Sequence, residues 1–186
     1  METINIPDFT FHFRAPGSRP GGPIQYAIGD CEQGAILVAR STHGICAIFL
    51  GDDAPGLRGQ LRDALPRSEL VEAARLPRND LDRVIRYVDQ RVADGPIDLD
   101  IGGTPFQQRV WSALCNIPMG ETLSYTQLAQ SLGLPKAVRA VASACAANTL
   151  AIVVPCHRIV RSDGSITGYR WGAERKRDLL RRERMQ

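Results

Sequence analysis

The chain has 186 residues, 44% of them apolar and 23% charged, with five cysteines and a formal net charge of +3. That is enough for one ordinary core or two small ones, in the balance expected of a soluble globular protein. No apolar run reaches the roughly 18 residues of a membrane span, Met1–Thr10 lacks the basic start and apolar centre of an export signal, and five cysteines without CxxC spacing exclude a disulfide framework or zinc ribbon; a cytoplasmic protein with no membrane partner is expected.

In chain order, residues 1–23, with Pro16-Gly17-Ser18 and Pro20-Gly21-Gly22, read as a flexible leader. Three β-rich runs follow, Ile24–Ile28, Ala35–Ala39 and Ile45–Leu50, separated by a turn opening with Gly29-Asp30 and by Ser41–Gly44; they predict an antiparallel meander. Cys31, His43 and Cys46 fall along it as packing or edge residues, so no metal is expected. Leu57–Leu65 and Asp80–Val92 have helical spacing. Gly95-Pro96 then breaks the chain before Ile97–Ile101, which places a domain boundary between 24–98 and 99–186.

The second half is helical in pattern. Thr104 can cap a helix with Pro105 at its first position and Phe106, Val110, Trp111 and Leu114 on one side. Ser124–Ser131, the turn Gly133-Leu134-Pro135, and the Ala-rich Lys136–Ala147 read as a helix-turn-helix. The hairpin-like Val160–Ile166 would be its wing, and Trp171–Glu183 a closing helix. Charge divides along the same line: residues 1–98 carry 11 basic and 14 acidic side chains (net −3), residues 99–186 carry 12 and 6 (net +6). The second half is the one suited to a polyanion.

Within it, the apolar run Ala151–Val154 leads into Pro155-Cys156-His157-Arg158, delivering a thiol and an imidazole together. A thiol at an unperturbed pKa of about 8.5 is only slightly ionised at neutral pH, so a reactive cysteine needs a base or a cation nearby. His157 is adjacent, and Glu183 is placed to orient and charge-balance it. Ala140, Ala142, Ser143, Ala144, Ala146 and Ala147 leave the preceding helix almost without bulk, so its backbone can approach another surface closely.

Pro155-Cys156-His157-Arg158, preceded by Arg139–Asn148 and followed by Gly168-Tyr169-Arg170-Trp171-Gly172, resembles the O6-alkylguanine-DNA alkyltransferases, most closely the C-terminal half of the bacterial adaptive-response proteins. The resemblance spans about residues 24–184 and is strongest from Thr104 onward. It implies an α/β (α+β) protein: an N-terminal ribonuclease-H-like domain with a three-stranded sheet and helices, and a C-terminal all-α winged helix-turn-helix domain. It also implies single-turnover transfer of an alkyl group from O6-alkylguanine in double-stranded DNA, with O4-alkylthymine the lesser substrate, to Cys156. No cofactor would be needed, and the protein would be a monomer able to bind DNA cooperatively.

By the same resemblance, His157 would take the thiol proton through a water with Glu183 compensating, Asn148 would brace the active-site turn, and Lys176 would be a supporting cation. Tyr125 would help extrude and hold the flipped purine and Tyr169 would wall it. The carbonyls of Cys156 and Ile159 would accept from the guanine amine, and the Arg170 amide would donate to O6. Arg139 would fill the gap left by the rotated nucleotide, with Lys136, Ala140 and Ser143 on the same DNA-facing helix in the minor groove. Trp171 would narrow the pocket mouth and favour methyl over benzyl-sized groups. The adaptive-response proteins' phosphotriester-repair module, with its zinc-bound cysteines, has no counterpart in this sequence, so the resemblance does not carry their regulatory role over to it. On residue types alone, a DNA lesion sensor and a cysteine hydrolase built on Cys156, His157 and Glu183 are the competing readings.

Overall fold

The computed structural model describes residues 8–166 and 168–185. They divide into two compact units: 104–148 with 152 onward, and an N-terminal unit of residues up to 103 joined by 149–151.

The N-terminal unit is built on one mixed sheet, with β1 (Phe9–Phe13), β2 (Ile24–Cys31), β3 (Gly34–Arg40), β4 (Ile45–Gly51), β5 (Leu70–Glu72) and β6 (Ile97–Ile101) in the order β1-β6-β4-β3-β2-β5. The expected meander forms its centre: β2 pairs antiparallel with β3, and β3 with β4. Ile36 to Ala39 and Ile45 to Leu50 are all buried, which is why these strands read as continuous apolar runs rather than alternating ones. Gly44 sits where β4 meets β6, and a Cβ there would lie 2.6 Å from the Asp98 carbonyl oxygen, so only glycine fits. Two helices, α1 (Ala54–Ala64) and α2 (Asp80–Gln90), complete the unit. Asp53 caps α1 by accepting from the Gly56 amide at 2.7 Å, and Leu57 and Leu61 are its buried face.

Three expectations are corrected here. The sheet has six strands rather than three. Residues 9–13 of the expected leader form β1, which pairs in parallel with all five residues of β6; residues 1–7 of that leader lie outside the described residues. β6 straddles the expected boundary at 98/99, and the unit ends at Gly103. In each case a short strand holds its place by pairing with a strand distant in sequence, a contact that local pattern does not register. Leu150 is another instance: Thr149–Ala151 counts with this unit because Leu150 bridges in parallel to Ile48.

The C-terminal unit comprises α3 (Pro105–Cys115), β7 (Leu123–Ser124), α4 (Tyr125–Ser131), α5 (Val138–Ala146), β8 (Ile159–Val160) and α6 (Ala173–Glu183). Thr104 with Gln107 and Ser124 with Gln127 form capping boxes at α3 and α4, each side chain answering the other's backbone amide. Past the end of α4 the chain turns through Gly133 at φ 71°, with Leu134 N–H donating to Ala129 O and Gly133 N–H to Gln130 O. That pairing is a Schellman stop, and it aims the chain into α5. The buried face of α5 is Val141, Ala144 and Cys145, and Trp111 Nε1 of α3 donates to the Ala144 carbonyl at 2.9 Å.

The unit is not all-α, because β7 and β8 pair in parallel. Beyond β8 the expected wing is a turn without strands, closed by Gly164 N–H to Arg161 O and Arg161 N–H to Ser165 O. Among the described residues no helix is long and apolar enough to cross a membrane.

Candidate active site

Cys156 opens a single turn of 3-10 helix, Cys156–Arg158, that follows a sharply bent approach. Ile152 adopts φ 69°, a left-handed conformation rare for a β-branched residue, and Val153, Val154 and Pro155 behind it are buried. Asn148, 1% exposed at the foot of α5, reaches across this bend: its Nδ2 donates to the Val154 carbonyl at 2.9 Å and to Cys156 Sγ at 3.3 Å. One amide therefore fixes the turn and touches the sulfur.

Cys156 lines a cavity of about 360 Å³. Ala142, Cys145 and Ala146 of α5 form one side of it, Tyr125 stands at the start of α4, and Gly168, Tyr169 and Arg170 close the other side. The Arg170 guanidinium donates to the Asn148 carbonyl at 3.3 Å, tying that wall to the end of α5. Lys176, fully buried on α6, exerts its charge on both Cys156 and Cys145.

Behind the thiol lies a charged cluster. His157 is completely buried, and its Nε2 meets Glu183 Oε1 at 2.8 Å. Arg158 grips the same carboxylate as a fork, Nε to Oε2 at 3.0 Å and Nη2 to Oε1 at 2.9 Å, while its Nη1 donates to the Ile117 carbonyl at 2.6 Å. Burial alone would raise the Glu183 carboxyl, but the hydrogen bonds from His157 and Arg158 outweigh it and hold it well below the usual carboxylate range. With Nε2–H pointing at a carboxylate, the basic nitrogen of the neutral imidazole is Nδ1.

The thiol itself is not ionised at rest. Burial pushes Cys156 up to about 11, against the lowering effects of the Asn148 hydrogen bond and the Lys176 and Arg170 charges. Cys145 is pushed up to about 12 by burial, with the neighbouring Cys156 adding to the effect, and burial lowers the Lys176 ammonium.

The structure thus gathers Cys156, Tyr125, Tyr169 and Arg170 around one cavity, with Asn148 holding the thiol, Lys176 acting on it and the His157–Glu183 pair behind it. The Cys156 carbonyl already accepts from the Ile159 N–H, so one of its two lone pairs remains for a ligand. Arg139, Ala140 and Ser143 are exposed along one side of α5, and Ala146 continues that side to the cavity; Lys136, expected on the same helix, is exposed in the turn just before it. Trp171 is placed differently from expectation: it is 3% exposed and outside the cavity lining, packed edge-on to Tyr169 at 5.1 Å between ring centroids, so it supports the wall instead of narrowing the mouth. Sequence reasoning missed the Arg158 fork, because nothing local marks an arginine whose partner is 25 residues away.

Comparison with known proteins identifies the family. Residues 105–185 match the family described as 6-O-methylguanine DNA methyltransferase, DNA binding domain. The chain is 52% identical over 179 residues to the Escherichia coli bifunctional transcriptional activator/DNA repair enzyme Ada, covering 95% of this chain and 51% of that protein. It thus spans about half the length of the curated relatives it matches first. A Methanosarcina barkeri methylated-DNA–protein-cysteine methyltransferase is 36% identical over 158 residues, covering 85% of this chain and 96% of the relative. Mycobacterium tuberculosis OGT, solved in complex with DNA, superposes with a TM-score of 0.72 at 33% identity over 87% of this chain and 93% of that one. With near-complete relatives alike in both sequence and fold, this chain belongs to the methylated-DNA–protein-cysteine methyltransferase family.

Proposed function

We propose that the protein repairs alkylated DNA by moving an alkyl group from O6 of guanine onto Cys156, in one irreversible event per molecule. The observation that carries this reading is a cysteine lining a cavity, its sulfur held by the buried Asn148 amide, with a buried imidazole–carboxylate pair beside it in the chain. A thiol held up to about 11 must lose its proton as the substrate arrives. His157 Nδ1 takes that proton through a water, and Glu183 stabilises the imidazolium. The thiolate attacks the alkyl carbon; the S–C bond forms, the C–O6 bond breaks, and the purine leaves with the electron pair. A hydrogen bond from the Arg170 amide supports the charge at O6, and a solvent proton restores neutral guanine. The thioether has no hydrolytic exit, so the protein is consumed.

The lesion lies inside the duplex, and extrusion costs a few kcal/mol. The exposed, nearly bulk-free side of α5 suits the minor groove, with α4 and α5 acting as a helix-turn-helix and the 161–164 turn as its wing. Arg139 occupies the vacated stack, Lys136, Ala140 and Ser143 lie against the backbone, and Tyr125, Tyr169 and the Ile159 carbonyl receive the base. The test is intact-mass analysis after incubation with a duplex carrying one O6-methylguanine. One methyl group per protein, mapped to Cys156, is expected; an unmodified sulfur, or many equivalents processed per molecule, refutes the reading.

A further inference from the structure

We infer that the N-terminal unit carries a second binding site, for a small phosphate-bearing anion, on the polar face of its β1–β6 pair. The face follows from strand periodicity. Successive side chains point to opposite sides, so His12 and Arg14 project with Asp98 and Asp100 while the intervening apolar residues face the other way. Residues 15–21, rich in Pro, Gly and Ser, fold back over this face and are tied to the β3–β4 turn, where the Thr42 amide and hydroxyl both reach the Gly21 carbonyl at 3.3 Å. The open hollow between them is about 410 Å³.

Its floor is already neutralised. Asp100 is 1% exposed, with Oδ1 2.9 Å from Arg14 Nη1 and Oδ2 hydrogen-bonded by the Ser41 hydroxyl, so both oxygens are engaged. His12 is likewise balanced by Asp98 at 2.9 Å. The surplus is Arg19, an exposed guanidinium from the covering loop that makes no hydrogen bond or ion pair among the described residues, with the imidazole of His43 lining the same pocket. A guanidinium fork and ring N–H donors in a concavity match the oxygens of a phosphate. The ligand is small because residues 1–98 carry net −3, a background that repels a duplex while leaving this local cationic spot intact. The site shares no residue with the thiol cavity, so it stands or falls separately from alkyl transfer.

The test uses the whole chain and inorganic phosphate as the probe, followed by the ring-proton NMR shifts of His12 and His43, with chloride at matched ionic strength as control. Saturable shifts with phosphate are expected, weakened at least tenfold in Arg19→Gln and in His43→Gln, each with an unchanged melting temperature. Shifts no larger than with chloride, or an affinity that neither substitution alters, overturn the site. Displacement of phosphate by an undamaged duplex at equal phosphate concentration overturns the small-ligand assignment.

Discussion

Asn148→Ala tests the coupling between the active-site turn and its sulfur. The amide makes two contacts from a position 1% exposed: 3.3 Å to Cys156 Sγ and 2.9 Å to the carbonyl of fully buried Val154. The first becomes a hydrogen bond to an anion during reaction, worth about 1.5–3 kcal/mol, so alkyl transfer should slow by about tenfold to 150-fold. The second leaves a buried carbonyl unsatisfied and should cost about 1–3 kcal/mol of stability. At about 2–4 °C per kcal/mol for a chain of this size, that loss is readable as a lower melting temperature. Asn148→Asp keeps the shape but sets a carboxyl against the thiolate, so it should react more slowly than Asn148→Ala. The assay is single-turnover transfer from a lesion-bearing duplex, measured across pH and paired with thermal unfolding. Wild-type rates in Asn148→Ala, or faster transfer in Asn148→Asp than in Asn148→Ala, would refute the claim that this amide supports the sulfur.

Glu183→Gln removes the anion that both His157 and Arg158 grip in a buried setting; denaturant titration should show a loss of about 3–5 kcal/mol, and transfer should slow with it. Stability should also fall at high pH. Burial raises Cys46, Cys115 and Cys145 to about 12 and Cys156 to about 11, from the ordinary thiol range of about 8.5–9. A folded-state pKa above the unfolded one gives stability that is complete below pH 9 and is lost as pH rises through 11 to 12. Each thiol contributes a slope of about 1.4 kcal/mol per pH unit, so Cys46→Ala should flatten unfolding curves measured across that window. Arg139→Ala should slow repair of duplex lesions while sparing reaction with the free alkylated base, and equal losses on both substrates would refute its wedge role. Trp171→Gly should remove the packing behind Tyr169, lower stability by about 3–5 kcal/mol and speed inactivation by a benzylated guanine; a stable variant with unchanged benzyl reactivity would show that Trp171 does not hold the wall.

What was legible in the sequence was whatever depends on near neighbours. The cap at Thr104, the glycine turn after α4, the small-residue helix α5 and the Cys156-His157 pair all declare themselves within a few positions, because capping, turn geometry and helical spacing act over one or two turns. The continuous apolar runs of β3 and β4 were equally plain, since strands buried on both faces leave no room for polar residues. Tertiary structure alone decided the rest. β1 is five residues in a Pro/Gly setting and exists because β6, more than 80 residues on, offers it hydrogen bonds. Arg158 turns inward because Glu183 and the Ile117 carbonyl converge on it. The resting state of Cys156 follows from burial, which outweighs the neighbouring cations; a sequence names the sulfur and its imidazole, but the cost of ionising a thiol is set by how much water the folded chain excludes.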